Sequence, residues 1–553
     1  MPDNASRLET AVSSKFGLVL LVALCLLIFT PGQGSLPTTD RDEARFAQAS
    51  KQMLETGNYV DIRFQEVPRY KKPIGIYWLQ TAAVRLSNAP LNQIGPYRLP
   101  SLLGALLAVV CTALLGTRLF DRRTGLLAGL LLAGCLLLNV EARLAKTDAM
   151  LLFCIVIMQS GLARLYLARQ RETAKHWPGW IMFWLACGLG ILIKGPVPLV
   201  IAAATILTLM ASDRSLDLLR VLRPLPGLLL LAGIVLPWFV AIQSASHGAF
   251  IQQALFQDFL PKLLSGQESH GAPPGYYLLL FPVLFWPGSL LTIAGLPRLR
   301  SLLREERVRF LLAWIIPAWI IFELVPTKLP HYVLPFFPAI ALLTACALQQ
   351  SRPEPGREGL LKKLPRWLGS GLWLLATVIL GIGLPVLAAR FGRFQALDLL
   401  PFAGLLLMLV AGWQYRHDRA CVSRLVPTFF LVALLTFPPA FAGILPQLEL
   451  AWPSRHVAEV LSKQSPGQLI SVGYSEPSLP FLVGTETVMT TPSQAALLLH
   501  QEQYRYLLVE AREQRKHAAA VKELLSGMRH LDRFSGFNYS KGKKITLDLY
   551  FKP

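Results

Sequence analysis

The groups able to do chemistry in this chain are charges set between apolar runs. TTDRDEARFAQAS brings Asp42, Glu43 and Arg45 together, and RYKKPIGIYW supplies Lys72 behind Arg69 and Lys71. Arg98 opens the next apolar segment, and NVEARLAKTDAM adds Glu141, Arg143, Lys146 and Asp148. ILIKGP contributes Lys194, and PTKLPHYVLP contributes Lys328, His331 and Tyr332. Ionisable groups at membrane depth are costly and usually functional. A carboxylate ringed by Lys and Arg suits a phosphate, which Arg grips bidentately and Lys meets as a point charge. At a bilayer surface such a phosphate belongs to a lipid. A polyprenyl-phosphate sugar donor meets both demands: its phosphate leaves beside the cations, while the carboxylate acts as general base or orients the acceptor.

Blander readings compete with this one. Lys and Arg near helix ends also snorkel to the headgroups, and for Arg98, Arg143 and Lys194 the two readings stand level. A helix N-cap explains one acidic residue at 42–43 but not the whole D-E-x-R cluster. Glu268 and His270, in GQESHG, read first as a solvated loop. A His with a carboxylate can bind a divalent metal, so this pair is the candidate metal site, although E-x-H alone specifies little.

The elements that must position these groups are membrane helices. Of the 553 residues 53% are hydrophobic and 16% charged, against roughly 25% charged in a soluble domain. The net charge of +21 therefore points to basic cytoplasmic loops rather than to nucleic acid. The run from Phe16 to Phe29 has no A-x-A-like cleavage site after it and reads as a retained first span. Apolar stretches further on bring the expected total to about thirteen spans. Alternate connections are basic, among them Arg118, Arg122 and Arg123, then Arg214, Arg220 and Arg223, then Arg298, Arg300 and Arg304. They place the N-terminus in the cytoplasm and the large loop 34–97 outside. The seven cysteines lie in or beside apolar runs without any C-x-x-C, which argues against a disulfide framework or a cysteine metal site.

From about Gln447 the pattern changes. QLISVGY, YRYLLVEA and KITLDLYF read as strands, with amphipathic helices around Val457–Leu461, Gln494–His500 and Arg512–Leu525. The expected architecture is a polytopic α-helical membrane protein over residues 1–446, followed by a periplasmic α/β domain over 447–553. No G-x-G-x-x-G or P-loop suggests nucleotide chemistry. A lipid transporter or flippase is the rival from another class, but it would place charges along a path through the bilayer, and it would usually show internal repeats that are absent here.

At these residues the sequence resembles the C-type glycosyltransferases of the protein O-mannosyltransferase superfamily, and within them the bacterial lipid A aminoarabinose transferases. DEARFAQAS carries Asp42 at the acidic position with Arg45 behind it. RYKKPIGIYW matches a K-P-P-x-x-Y-W-like pattern, with Ile74 in place of the second Pro. YRLPSLLG, ARLAKTDAML, ILIKGP and TKLPHYVLP match later segments, and SVGYSEPSLPFLVG resembles the C-terminal domain. The resemblance implies transfer of 4-amino-4-deoxy-L-arabinose from undecaprenyl phosphate to a lipid A phosphate at the outer face of the inner membrane, and with it polymyxin resistance. It also implies Asp42 as the main catalytic carboxylate, with Asp148 and Glu43 beside it. Arg45, Lys72, Arg98, Arg143, Lys146, Lys194, Lys328, His331 and Tyr332 would then hold the lipid phosphate or sugar. No cofactor is required, although members of the superfamily can hold a divalent metal. A related enzyme using another sugar, or a protein serine or threonine as acceptor, is the alternative.

Overall fold

The computed structural model describes residues 15–170, 176–259, 261, 271–350, 360–417 and 424–553. Among the described residues, eight helices are long and apolar enough to cross a membrane. The pair Tyr276–Leu284 and Ser289–Leu302, bent by 116°, makes a ninth if it is one span. The expectation of about thirteen spans also counts segments that fall short by length or continuity. Phe16–Phe29 and Val197–Asp213 are shorter apolar helices, and the run from Gly125 is broken into Arg122–Ala133 and Leu136–Glu141.

The large loop is ordered by short elements. Helix α1 (Lys15–Phe29) leads to α2 (Asp42–Thr56), then to a hairpin of β1 (Arg63–Phe64) and β2 (Val67–Pro68), and to α3 (Gly75–Ser87). Helix α2 begins with two carboxylates, as the positive end of a helix dipole favours. It ends at Gly57, whose left-handed φ of 73° turns its N–H onto the Met53 carbonyl. Its inner face buries Ala44, Phe46, Ala47, Ser50 and Met53.

Close helix packing sets the mouth of the bundle. Helix α4 (Ile94–Leu119) carries Arg98, and α5 (Asp148–Ala168) carries Asp148 at its first position. The two approach so tightly at Gly104 that a Cβ there would lie 2.7 Å from the backbone of Ala149 and Met150. At Gly161 a Cβ would lie 2.6 Å from the Gly179 carbonyl, which brings α6 (Trp177–Lys194) against α5. Small residues at such crossings let membrane helices pack by direct backbone contact. Asp148 and Lys194, at opposite ends of their own segments, thereby meet at one mouth.

The C-terminal region forms one mixed sheet from β3 (Gln468–Val472), β4 (Val488–Thr490), β5 (Tyr504–Glu510), β6 (Arg529–Asn538) and β7 (Lys543–Phe551), in the order β4-β3-β5-β7-β6. Strands β4, β3 and β5 are parallel, and β7 pairs antiparallel with both β5 and β6. Leu469, Tyr506, Leu508, Leu547 and Leu549 bury one face, and Ile470, Val472, Leu507 and Val509 bury the other. The three expected strands are the inner ones. The two unforeseen strands, β4 and β6, are the edges, where fewer side chains are buried and the apolar signal is weaker. Helix α7 (Ser478–Val483) packs against α2, and Lys51 donates to the Phe481 carbonyl at 3.0 Å.

Candidate active site

A cavity of about 290 Å³ opens where α2, the Arg69–Lys72 segment, the 142–147 turn, the end of α6 and the 327–332 turn converge. Seven Lys and Arg side chains line it against four Asp and Glu. That excess suits an anionic ligand.

At its centre, Lys146 Nζ lies 3.0 Å from Glu141 Oε1 and 3.8 Å from Asp148 Oδ2. Lys194 donates to Asp148 Oδ1 and stands 5.3 Å from the centre of the Tyr332 ring. His331 faces both carboxylates, with Nδ1 3.9 Å from Glu141 and Nε2 3.8 Å from Asp148. Burial opposes the Lys146 charge, but Glu141, Asp148 and Asp42 together hold its ammonium above the ordinary lysine range.

Asp42 is the open carboxylate of this cluster. Its side chain keeps 53% of its surface exposed, and Arg69 Nη2 lies 4.0 Å from its Oδ1. The surrounding wall would raise its pKa, yet Lys146, Arg69, His331 and Lys72 outweigh burial and hold it below the usual value. Arg69 also stacks over Phe46 at 5.2 Å. Asp42 is thus held ionised with oxygens facing the cavity.

Of the residues expected from sequence, the cavity gathers Asp42, Arg45, Lys72, Lys146, Asp148, Lys194, His331 and Tyr332. Four others are engaged in the scaffold. Glu43 lies at the cavity wall, but its side chain is fully buried. Its oxygens accept from Arg98 Nε and Nη2, the Ala145 N–H, and the Thr39 N–H and hydroxyl, all within 2.9 Å. No lone pair is left for catalysis. Arg98 spends its remaining donors on the carbonyls of Gln33, Leu36 and Pro37. Arg143 donates to the carbonyls of Pro31, Ile28 and Asn139 and lies 4.5 Å from the Phe441 ring, away from the cavity. Lys328 is buried and donates to the Val325 carbonyl at 2.6 Å. Neither Arg98 nor Arg143 snorkels; both tie the end of the first helix and the loop after it to the bundle.

The cavity also enlists Arg69, Lys71, Thr147 and Thr327, with Glu141 just behind. Glu141, like Asp148, stands out in the sequence as an acid in an otherwise apolar stretch.

The Glu268 and His270 pair proposed for a metal lies outside the described residues. Glu141, Asp148 and His331 do bring potential ligand atoms within 4.8 Å of one another. Lys146 and Lys194 already form ion pairs with those carboxylates, so a divalent ion would have to displace two ammonium groups. The donor set fits buried lysines better than a resident metal.

Known proteins resemble this chain in sequence and in fold. Residues 14–246 match the family model described as dolichyl-phosphate-mannose-protein mannosyltransferase. The undecaprenyl phosphate-alpha-4-amino-4-deoxy-L-arabinose arabinosyl transferase of Enterobacter sp. (strain 638) is 27% identical over 60% of this chain and 59% of its own length. Its counterpart from Erwinia tasmaniensis is 29% identical over 55% and 54%, and that from Pseudomonas aeruginosa (strain LESB58) is 29% identical over 71% and 70%. The matched stretch thus spans less than two thirds of the first two relatives. The crystal structure of ArnT from Cupriavidus metallidurans bound to undecaprenyl phosphate superposes with a TM-score of 0.73 at 19% identity, over 96% of this chain and 97% of that one.

Fold and site together define a multi-pass membrane protein with the fold of the ArnT crystal structure, and its residues 14–246 resemble the protein mannosyltransferases. Its sequence is similar to the undecaprenyl-phosphate aminoarabinose transferases at 27–29% identity.

Proposed function

We propose that this chain is an integral-membrane glycosyltransferase that moves 4-amino-4-deoxy-L-arabinose from undecaprenyl phosphate to a phosphate of lipid A. The carrying observation is Asp42, ionised and open, in a cavity whose wall holds seven cations. The activity for which the relatives are named supports the choice of sugar and lipid carrier.

In this reaction an acceptor oxygen forms a bond to the sugar's anomeric carbon as the bond from that carbon to the lipid phosphate breaks. Negative charge gathers on the departing phosphate, and preorganised cations lower the barrier by meeting it there. Lys72, Arg45, Arg69 and Lys194 all line the cavity. A phosphate acceptor is already ionised at neutral pH and needs no general base. Asp42 instead pairs with the sugar's ammonium and aligns the anomeric carbon, a positioning role that a lowered pKa serves well. Asp148, hydrogen-bonded to Lys194 and ion-paired with Lys146, sets those ammonium groups in place.

In the same reading, residues 1–446 form the membrane-embedded transferase and 447–553 an α/β domain on the periplasmic side of the inner membrane, with the N-terminus cytoplasmic. The product carries added positive charge on lipid A, which lowers the attraction of cationic peptides such as polymyxin. The test is transfer by purified protein in lipid nanodiscs, supplied with undecaprenyl-phosphate aminoarabinose and lipid A and read by mass spectrometry. Modified lipid A supports the reading. Transfer to a peptide hydroxyl, with lipid A untouched, would replace it.

A further inference from the structure

Three consecutive residues ahead of the open carboxylate are anchored in different directions. Thr39 is tied to Glu43, and through it to Arg98 of the membrane bundle. Asp40 and Arg41 are tied to the C-terminal sheet region. The Asp40 N–H donates to the Tyr539 hydroxyl at 2.6 Å, and Asp40 Oδ1 accepts from the Ser478 N–H at 3.2 Å. Arg41 donates to the Ser540 carbonyl. Arg41 has φ 65° and ψ −107°, a conformation that a residue with a side chain keeps only where its surroundings impose it. Asp42 follows directly, as the first residue of α2.

The far side of these contacts is itself braced. Tyr539 and Ser540 form the turn after β6, and Tyr539 packs edge-on against Trp452 at 5.9 Å. Asn538 donates to Glu476 at 2.6 Å. Ser478 bonds Ser454 at 2.6 Å, and Ser454 bonds the Tyr474 hydroxyl at 2.8 Å, all three side chains being buried. The turn therefore meets the loop as a fixed surface.

We propose that Tyr539 and Ser540 are positioning residues, which clamp Asp40 and Arg41 and thereby hold the Asp42 carboxylate at its place in the cavity. The proposal rests on the reading of Asp42 given above, and it gives the C-terminal region a part in the reaction without contact with substrate. The clamp acts on alignment rather than on the cations that bind the lipid phosphate, so its loss falls on kcat.

Full-length protein in nanodiscs, assayed with undecaprenyl-phosphate aminoarabinose and lipid A, tests it with Tyr539→Phe and Tyr539→Leu. Phe removes the oxygen that accepts from Asp40, and Leu removes in addition the ring that packs on Trp452 and braces the turn bearing Ser540. Each variant is expected to lose about tenfold in kcat, with the donor KM within about twofold and the unfolding temperature unchanged. Wild-type kcat in both variants would overturn the clamp. So would a lowered unfolding temperature with kcat and KM both degraded, since that marks a merely structural contact. Asp42→Asn, run in parallel, separates the two claims: wild-type transfer in that variant removes the reading on which the clamp rests, whereas a loss there with intact clamp variants overturns the clamp alone.

Discussion

Glu43 and Arg98 form a two-pronged ion pair at 2.8 and 2.9 Å, with neither side chain exposed. The pair joins the first turn of α2 to the first turns of α4, so the loop bearing Asp42 is pinned to the membrane bundle from beneath. Removing one member leaves the other charged and buried. Arg98→Met is expected to cost about 3–5 kcal/mol, as for other broken buried pairs, and to show as loss of folded protein in detergent thermal melts. A variant that melts like wild type would show that the pair is dispensable.

Cations on the cavity wall have a different signature. Lys72→Met should raise the KM for the lipid donor by about tenfold with a smaller change in kcat, since the lysine meets phosphate already present in the bound donor. Steady-state kinetics over a donor titration distinguishes this from an alignment defect. Unchanged KM would return Lys72 to the role of an interfacial charge.

The pH dependence of stability carries a signature of Asp40. Burial pushes its carboxyl up to about 7, with the Ser478 contacts and Arg45 only partly opposing. A carboxyl whose folded pKa exceeds its unfolded value binds more protons in the folded state, so its contribution falls as pH rises between those two values. From about pH 4 to about pH 7 the wild type should lose stability relative to Asp40→Asn, with no further divergence above that window. Melting temperatures of both proteins across this range check the sign. Asp42 acts oppositely: held below its usual pKa, it contributes stability above the unfolded value and loses it as pH falls through the folded one.

With Lys146 and Lys194 already bonded to the Glu141 and Asp148 carboxylates, chelation should leave the rate of transfer unchanged. Loss of activity on EDTA treatment, restored by a divalent ion, would show that an ion displaces those lysines.

Much of the site was legible because its charges interrupt apolar sequence. Asp42, Lys72, Asp148, Lys194 and His331 come from five separate segments, and the structure gathers them around one cavity. The same signal marks Glu43, Arg98, Arg143 and Lys328, yet these serve the scaffold. What separates the two groups is partner geometry: Arg98 and Arg143 meet the carbonyls of residues 28–37, contacts that no local spacing encodes. In the C-terminal sheet, KITLDLYF was readable because its alternate residues Ile545, Leu547 and Leu549 are buried. RHLDRFSGFN was not, since β6 is an edge strand that buries little of either face. The Asp40–Tyr539 contact spans 499 residues, which puts it beyond any sequence pattern.

The most direct measurement is the turnover of Asp42→Asn beside wild type, in nanodiscs with undecaprenyl-phosphate aminoarabinose and lipid A. Wild type should yield modified lipid A. The variant should melt at the same temperature and fall by about a hundredfold or more in kcat, the range over which a positioned side chain acts in a transition state. Equal turnover in the two proteins would contradict the assignment of Asp42 as the group around which this site is built.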